Sequence, residues 1–323
     1  ERLADGTIRI RTVRLNYLSY APLILAESQG HFAEQGIEIE WVPLNRAADG
    51  LLPLSQGDLD VLPCIVYPGL FNLIRRGAAL RIVADKGHTA DGDADCSYMS
   101  YVARTELIES GRLKTPADIR GLRFGTSRTR AGFYEACKLL EIAGLTVDDI
   151  ELVNVPQNVI MQSLAAGNID ITLMGEPHLT QAISEGYARE WLPFQSFIPG
   201  HQHSFLIFGP TLIEEDRDAG SAFMVAYRNA LLQYNEGATE RNIAAIAEAT
   251  TLDPALVARL CWAPVRASGR VNTDDLVGYQ KWAIEQGLLD ESVTPDRFWD
   301  GSFLDHTDSV ITHRSDPEHA NER

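Results

Sequence analysis

What this chain lacks narrows its class at once. No apolar run approaches the roughly 18 residues needed to cross a bilayer. Positive charge is in deficit, with 28 Lys and Arg against 45 Asp and Glu and a formal net charge of −17. Such a balance argues against a nucleic-acid or anionic-membrane surface. It leaves an anionic ligand open, because a site's own donors decide that. Cysteine is scarce and scattered, at Cys64, Cys96, Cys137 and Cys261, with no CxxC pair. That spacing fits neither a zinc site nor a disulfide framework, and Cys137, within an apolar helical pattern, reads as buried structure. Neither G-x-S-x-G nor H-E-x-x-H occurs, which removes two common hydrolase signatures.

What is present is an ordinary globular composition and a pattern stated twice. Of 323 residues, 45% are hydrophobic and 23% charged, enough for two domains or one large one. Leu54-Ser55-Gln56-Gly57-Asp58-Leu59-Asp60-Val61 returns 110 residues later as Leu164-Ala165-Ala166-Gly167-Asn168-Ile169-Asp170-Ile171. Each copy reads as a helix end, a glycine suited to the left-handed C′ position, and a short apolar strand. A second echo precedes each, at Gly36 before Ile37–Val42 and at Gly144 before Ile150–Val155. Two such β-α-β-α-β units predict two similar α/β lobes, and a cleft between lobes is where small molecules bind.

The periodicity predicts strands over Val13–Tyr17, Ile37–Val42, Leu59–Leu62 and Leu80–Ala84 in the first lobe, separated by helices. It predicts Leu122–Gly125, Ile150–Val155 and Ile169–Met174 in the second, and strands alternating with helices favour a mostly parallel sheet. Tyr98–Ala103 and Ser204–Phe208 are the expected crossing segments. The lobes are accordingly drawn as residues 1–97 with 208–323, and 98–207.

Several of these segments, in this order, are familiar. Ala21-Pro22-Leu23-Ile24-Leu25-Ala26-Glu27-Ser28-Gln29-Gly30-His31-Phe32 with Gln35-Gly36-Ile37 resembles the opening of the sulfonate/nitrate/taurine/thiamine-precursor class of ABC-transporter substrate-binding proteins. Gly57-Asp58-Leu59-Asp60, Asp118-Ile119-Arg120-Gly121-Leu122, Gly167-Asn168-Ile169-Asp170, Glu176-Pro177 and the closing Gln280–Leu289 continue the likeness. The resemblance implies a type II periplasmic-binding-protein fold, α/β, with a central ligand cleft and two crossing segments. It implies a solute-binding component of an ABC importer that closes its lobes on a small organic ligand, a sulfonate or aromatic carboxylate. Its partners are then a permease and an ATPase, without nucleic acid, cofactor or membrane span. The expected place is a periplasm or other extracytoplasmic space, free or held by a lipid at a removed N-terminus, since the chain begins at Glu1 rather than Met. Alternatives on the same fold are a binder of a thiamine-pyrimidine precursor or flavin, and an enzyme, desulfinase-like or pyrimidine-forming. The desulfinases carry a nucleophilic Cys in the loop after the first strand, where this chain has Tyr17.

Ligands of open α/β sheets gather at strand carboxyl ends and the helix starts that follow. That rule selects Asn16, Tyr17, Ser19 and Tyr20 after the first strand, and Cys64 and Tyr67 after the third. In the second lobe it selects Thr126, Ser127, Arg128, Thr129, Arg130 and Phe133, where a helix start with two guanidinium groups suits an acidic group. The last candidates are Met174, Glu176 and His178. His178 with His201 and His203 offers imidazoles, but the spacing is not diagnostic of a metal and none is expected.

Overall fold

The structure, a computed structural model, describes residues 1–90, 92, 94–126, 128, 132–156 and 159–315. The chain separates into two compact units. Unit 1 comprises Glu1–His88, Gln202–Ala258 and Pro264–Arg323, and unit 2 comprises Thr89–His201 with Arg259–Ala263. The chain thus changes unit at 88/89 and 201/202, whereas the sequence pattern placed the changes at 97/98 and 207/208. The short return of 259–263 to unit 2 had no sequence signal.

Unit 1 holds strands β1 (Ile8–Thr12), β2 (Ile37–Trp41), β3 (Val61–Ile65) and β4 (Arg81–Gly87). Unit 2 holds β5 (Met99–Arg104), β6 (Arg123–Phe124), β7 (Glu151–Leu152), β8 (Ile171–Gly175) and β9 (Ala188–Pro193). The last strand, β10 (Ser204–Phe208), returns to unit 1. The first strand is therefore Ile8–Thr12, not Val13–Tyr17. Its alternation buries Ile8, Ile10 and Thr12, and Val13–Tyr17 forms the loop that follows.

The two units repeat one topology. In unit 1, β1 pairs in parallel with β2, and β10 lies antiparallel between β3 and β4. In unit 2 the sheet order is β7-β6-β8-β5-β9, with β6 parallel to β7 and β8, and β5 antiparallel between β8 and β9. Unit 1 divides its strands between two sheets, β2-β1 and β3-β10-β4, which taken in that order correspond strand for strand to the single sheet β7-β6-β8-β5-β9 of unit 2. Neither β3-β10-β4 nor the five-stranded sheet is parallel throughout: the first strand formed after each long change of unit enters antiparallel. Ser204–Phe208 is thus no mere crossing. All five of its residues are buried, as a strand flanked on both sides requires. The strand β9 carried no recognised signal, because only one end of Ala188-Arg189-Glu190-Trp191-Leu192-Pro193 is fully buried.

The repeated Gly-x-x-Asp has a physical cause. Asp60 receives hydrogen bonds from Arg11 N (2.7 Å), Nε (3.1 Å) and Nη2 (2.8 Å). Asp170 receives the same three from Arg123, at 2.9, 3.0 and 2.7 Å. The reciprocal bonds, Asp60 N to Arg11 O (3.0 Å) and Asp170 N to Arg123 O (2.8 Å), complete two identical clamps. The first locks β1 to β3 and the second locks β6 to β8, in each case the strand entered through the glycine. Gly57 and Gly167, at φ of 79° and 72°, are left-handed, which a side chain there would oppose.

Unit 1 is packed with aromatic pairs, including Phe208 against Phe223 and Phe303, and Phe71 against Phe298. Unit 2 buries one cluster around Tyr101, Phe124 and Leu139 and another around Val102, Leu164 and Met174. The cysteine expectation is corrected here: Cys96 and Cys261 form a disulfide with Cα atoms 5.8 Å apart, across 165 residues of chain. Spacing could not announce it, because the fold alone brings the two together. Cys137 is half-buried rather than buried.

Candidate functional site

Strands β3 and β4, both antiparallel to β10, run parallel to each other, so their carboxyl ends share one edge of unit 1. The loop after β1 supplies Tyr17, Ser19 and Tyr20. The end of β3 supplies Cys64, and the end of β4 supplies Lys86, which the sequence reading missed by ending that strand at Ala84. Lys86 Nζ donates to Ser19 Oγ at 3.0 Å and lies 4.2 Å from the centre of the Tyr20 ring. Tyr20 is buried and donates its hydroxyl to Pro63 O at 3.2 Å, which fixes the ring beneath the amine. Ser19 is half-buried, whereas Lys86 is 1% exposed.

Burial dominates the electrostatics of this cluster. Desolvation lowers the Lys86 amine to about 7, against the partly restoring influence of the nearby Cys64 and Asp85. Desolvation likewise raises the Cys64 thiol to about 12, despite the nearby Lys86. Cys64 is therefore a thiol at neutral pH and a poor nucleophile.

The neighbouring carboxylate is already engaged. Asp85, fully buried, accepts from Gly87 N (2.9 Å), Gln202 Nε2 (2.8 Å) and Arg266 N (2.7 Å), and its Oδ2 lies 2.9 Å from His88 Nδ1. Tyr227 donates to the Asp85 carbonyl at 2.9 Å. This hub anchors the end of β4 and with it the position of Lys86. A charged pair closing an otherwise apolar strand, Arg81-Ile82-Val83-Ala84-Asp85-Lys86, was the available signal.

The other predicted residues fall as follows. Asn16 is exposed and Tyr67 half-buried, with its ring against Gly69. In unit 2, Thr126 is buried, and Phe133 opens the helix Phe133–Ala143. The Arg128 guanidinium lies 5.5 Å from the centre of the Phe133 ring, and the residue is exposed. Ser127, Thr129 and Arg130 lie outside the described residues.

Met174 packs in the Leu164 cluster. Glu176 ties its own loop, accepting from Thr180 Oγ1 (2.7 Å), Thr180 N (3.1 Å) and Cys261 N (3.3 Å). Burial nevertheless holds its carboxyl above the usual range. His178 Nδ1 lies 3.3 Å from Gln181 Oε1, and His201 packs against Tyr134 and Phe194. The structure thus brings together Ser19, Tyr20 and Cys64 around Lys86, all within unit 1.

Residues 9–249 match the model of a family described as NMT1-like. A putative thiamine biosynthesis protein of Haemophilus influenzae is 25% identical over 218 residues, 65% of this chain and 63% of that protein's length. The alkanesulfonate-binding protein SsuA of Xanthomonas axonopodis pv. citri, solved bound to MOPS, is similar in fold. Its TM-score is 0.71 at 19% identity, covering 91% of this chain and 98% of that one. The desulfurization enzyme DSZB is similar too, with a TM-score of 0.69 at 15% identity over 95% of this chain and 100% of that one. At these identities the solved structures establish the fold, a mixed α/β fold shared with periplasmic binding proteins.

Proposed function

Because the chain belongs to the NMT1-like family, we propose that it is the extracytoplasmic solute-binding component of an ABC importer and captures a small organic acid, a sulfonate or an aromatic carboxylate. One observation carries the preference for an acid. The carboxyl ends of β1, β3 and β4 gather hydroxyl, thiol and aromatic groups around one buried amine, while the adjacent carboxylate of Asp85 is occupied elsewhere. A ligand met by such a set brings its own negative charge to offset desolvation. The Cys96–Cys261 disulfide supports an oxidising compartment. The partners are then a permease and an ATPase. In unit 2, Arg128, ahead of the helix Phe133–Ala143, remains a separate proposed contact for an acidic group.

A thermal-shift panel of sulfonates, carboxylates and neutral heteroaromatics tests the ligand class, since a ligand of the folded state raises the melting temperature. Chromatography of each stabilising compound after incubation tests the function, because a binder returns it unchanged.

The likeness to a desulfurization enzyme favours a second reading, catalysis on the same fold. Cys64 held as a thiol and Tyr17 at the loop after β1 weigh against a cysteine nucleophile there. Conversion of an aromatic sulfinate by the purified protein would establish this reading instead.

A further inference from the structure

A buried lysine without a carboxylate partner costs stability, so its retention in a fold asks for a use. Among the described residues Lys86 is such a residue, with Ser19 Oγ as its hydrogen-bond acceptor. Its surroundings in unit 1 can be named element by element. The loop after β1 gives Ser19 and Tyr20, with Tyr17 next to Tyr20. Strand β3 gives Cys64, and its own strand gives Asp85, whose carboxylate is turned to His88, Gln202 and Arg266. Strand β10, paired to both β3 and β4, presents Ser204 and Phe205 at this level. Tyr227 reaches the Asp85 carbonyl. Among the described residues the amine meets one hydroxyl and one ring face, and neither carries negative charge at neutral pH. Ser19, half-buried, links that amine to the surface.

We propose that Lys86 Nζ seats the acidic group of the ligand, reached past Ser19, and that capture is coupled to uptake of one proton at this amine. This rests on the reading that the ligand is an organic acid. The incoming anion supplies the direct counter-ion that Asp85, bonded to His88, Gln202 and Arg266, does not. The amine takes a proton from solvent, forms the ammonium, and donates to the acid's oxygens while Tyr20 covers it from below. The low value of the unliganded amine, about 7, places that uptake in the physiological range. Above it, protonation must accompany binding, so affinity falls as pH rises.

Calorimetric titrations with propanesulfonate, benzoate and neutral benzamide, at pH 6, 7 and 8 and in two buffers of different ionisation enthalpy, test this. Both acids stay ionised throughout that range, so their own titration does not contribute. The expected result is binding of at least one acid that weakens about tenfold from pH 6 to pH 8, with close to one proton taken up at pH 8. Lys86→Met should weaken that acid by 100-fold or more while its melting temperature equals or exceeds that of the parent chain. Unchanged acid binding by Lys86→Met, or an affinity flat from pH 6 to pH 8, overturns the assignment and leaves the organic-acid reading standing. Failure of both acids to bind the parent chain overturns the organic-acid reading itself, and the Lys86 assignment with it.

Discussion

Replacing Asp60 by Ala removes the acceptor shared by Arg11 N, Nε and Nη2, and leaves the guanidinium with the Gly57 carbonyl, 2.6 Å from Nη2. Asp60 is 1% exposed, but the Arg11 side chain is 30% exposed, so water can recover part of what the guanidinium loses. Breaking a fully buried pair costs about 3–5 kcal/mol, and the exposure of Arg11 lowers the expectation to roughly 2–4 kcal/mol. That is a large share of a typical stability of about 5–15 kcal/mol. Asp170→Ala should cost as much or more, because Asp170 holds both Arg123 and Arg104. Two units need not unfold as one, so urea denaturation is best paired with peptide-resolved hydrogen exchange. Asp60→Ala should deprotect β1 and β3, and Asp170→Ala should deprotect β6 and β8. Arg2→Ala, which breaks a pair with Asp216 that is half-exposed on the Arg side, serves as the comparison and should cost much less. A cost under about 1 kcal/mol for Asp60→Ala, or equal loss of protection in both units, refutes the clamp argument.

Three further outcomes are expected. Although burial of Asp170 pushes its carboxyl upward, the hydrogen bonds and charge of Arg123 prevail and hold it below the ordinary value. Its contribution is therefore present above about pH 4 and lost as pH falls through the lowered folded value, so acid titration should expose β6 and β8 less steeply in Asp170→Asn than in the parent. For Lys86 the sign is opposite: its lowered value penalises the fold fully below about 7, by up to about 5 kcal/mol, and the penalty fades toward pH 10.5. The melting-temperature advantage of Lys86→Met should shrink over that interval, and an advantage constant from pH 6 to pH 10 would contradict the burial account. Finally, reduction of the protein, or Cys261→Ala, should destabilise it by roughly 2–5 kcal/mol. In the oxidised protein Cys64, 1% exposed with its thiol at about 12, should resist thiol reagents at pH 8 until unfolding. Modification of Cys64 in the native state would count against its placement.

Much of the architecture was written locally. The glycines at 36, 57, 144 and 167 end helical turns and precede strands because only a left-handed residue lets the chain turn there. The alternation of hydrophobic residues marked most strands to within a few positions. Such signals need only neighbours in the sequence, and their repetition announced two units of one build. The same local rule pointed to Ser19, Tyr20 and Cys64 at strand ends.

The tertiary structure decided what depends on residues far apart in the chain. Lys86 looks like any strand-end charge until Ser19 and Tyr20, more than 60 residues earlier, enclose it and strip its water. Glu176 gives no sign in the sequence that it ties Thr180 to Cys261, 85 residues further along the chain. The Cys96–Cys261 bond and the antiparallel entry of β5 and β10 likewise depend on distant segments meeting. Helix ends and strand faces follow from periodicity and backbone sterics, which act over a few residues. Desolvation, charge pairing and disulfide geometry are set by whichever groups the fold brings within a few ångströms, and no spacing in the sequence encodes that distance.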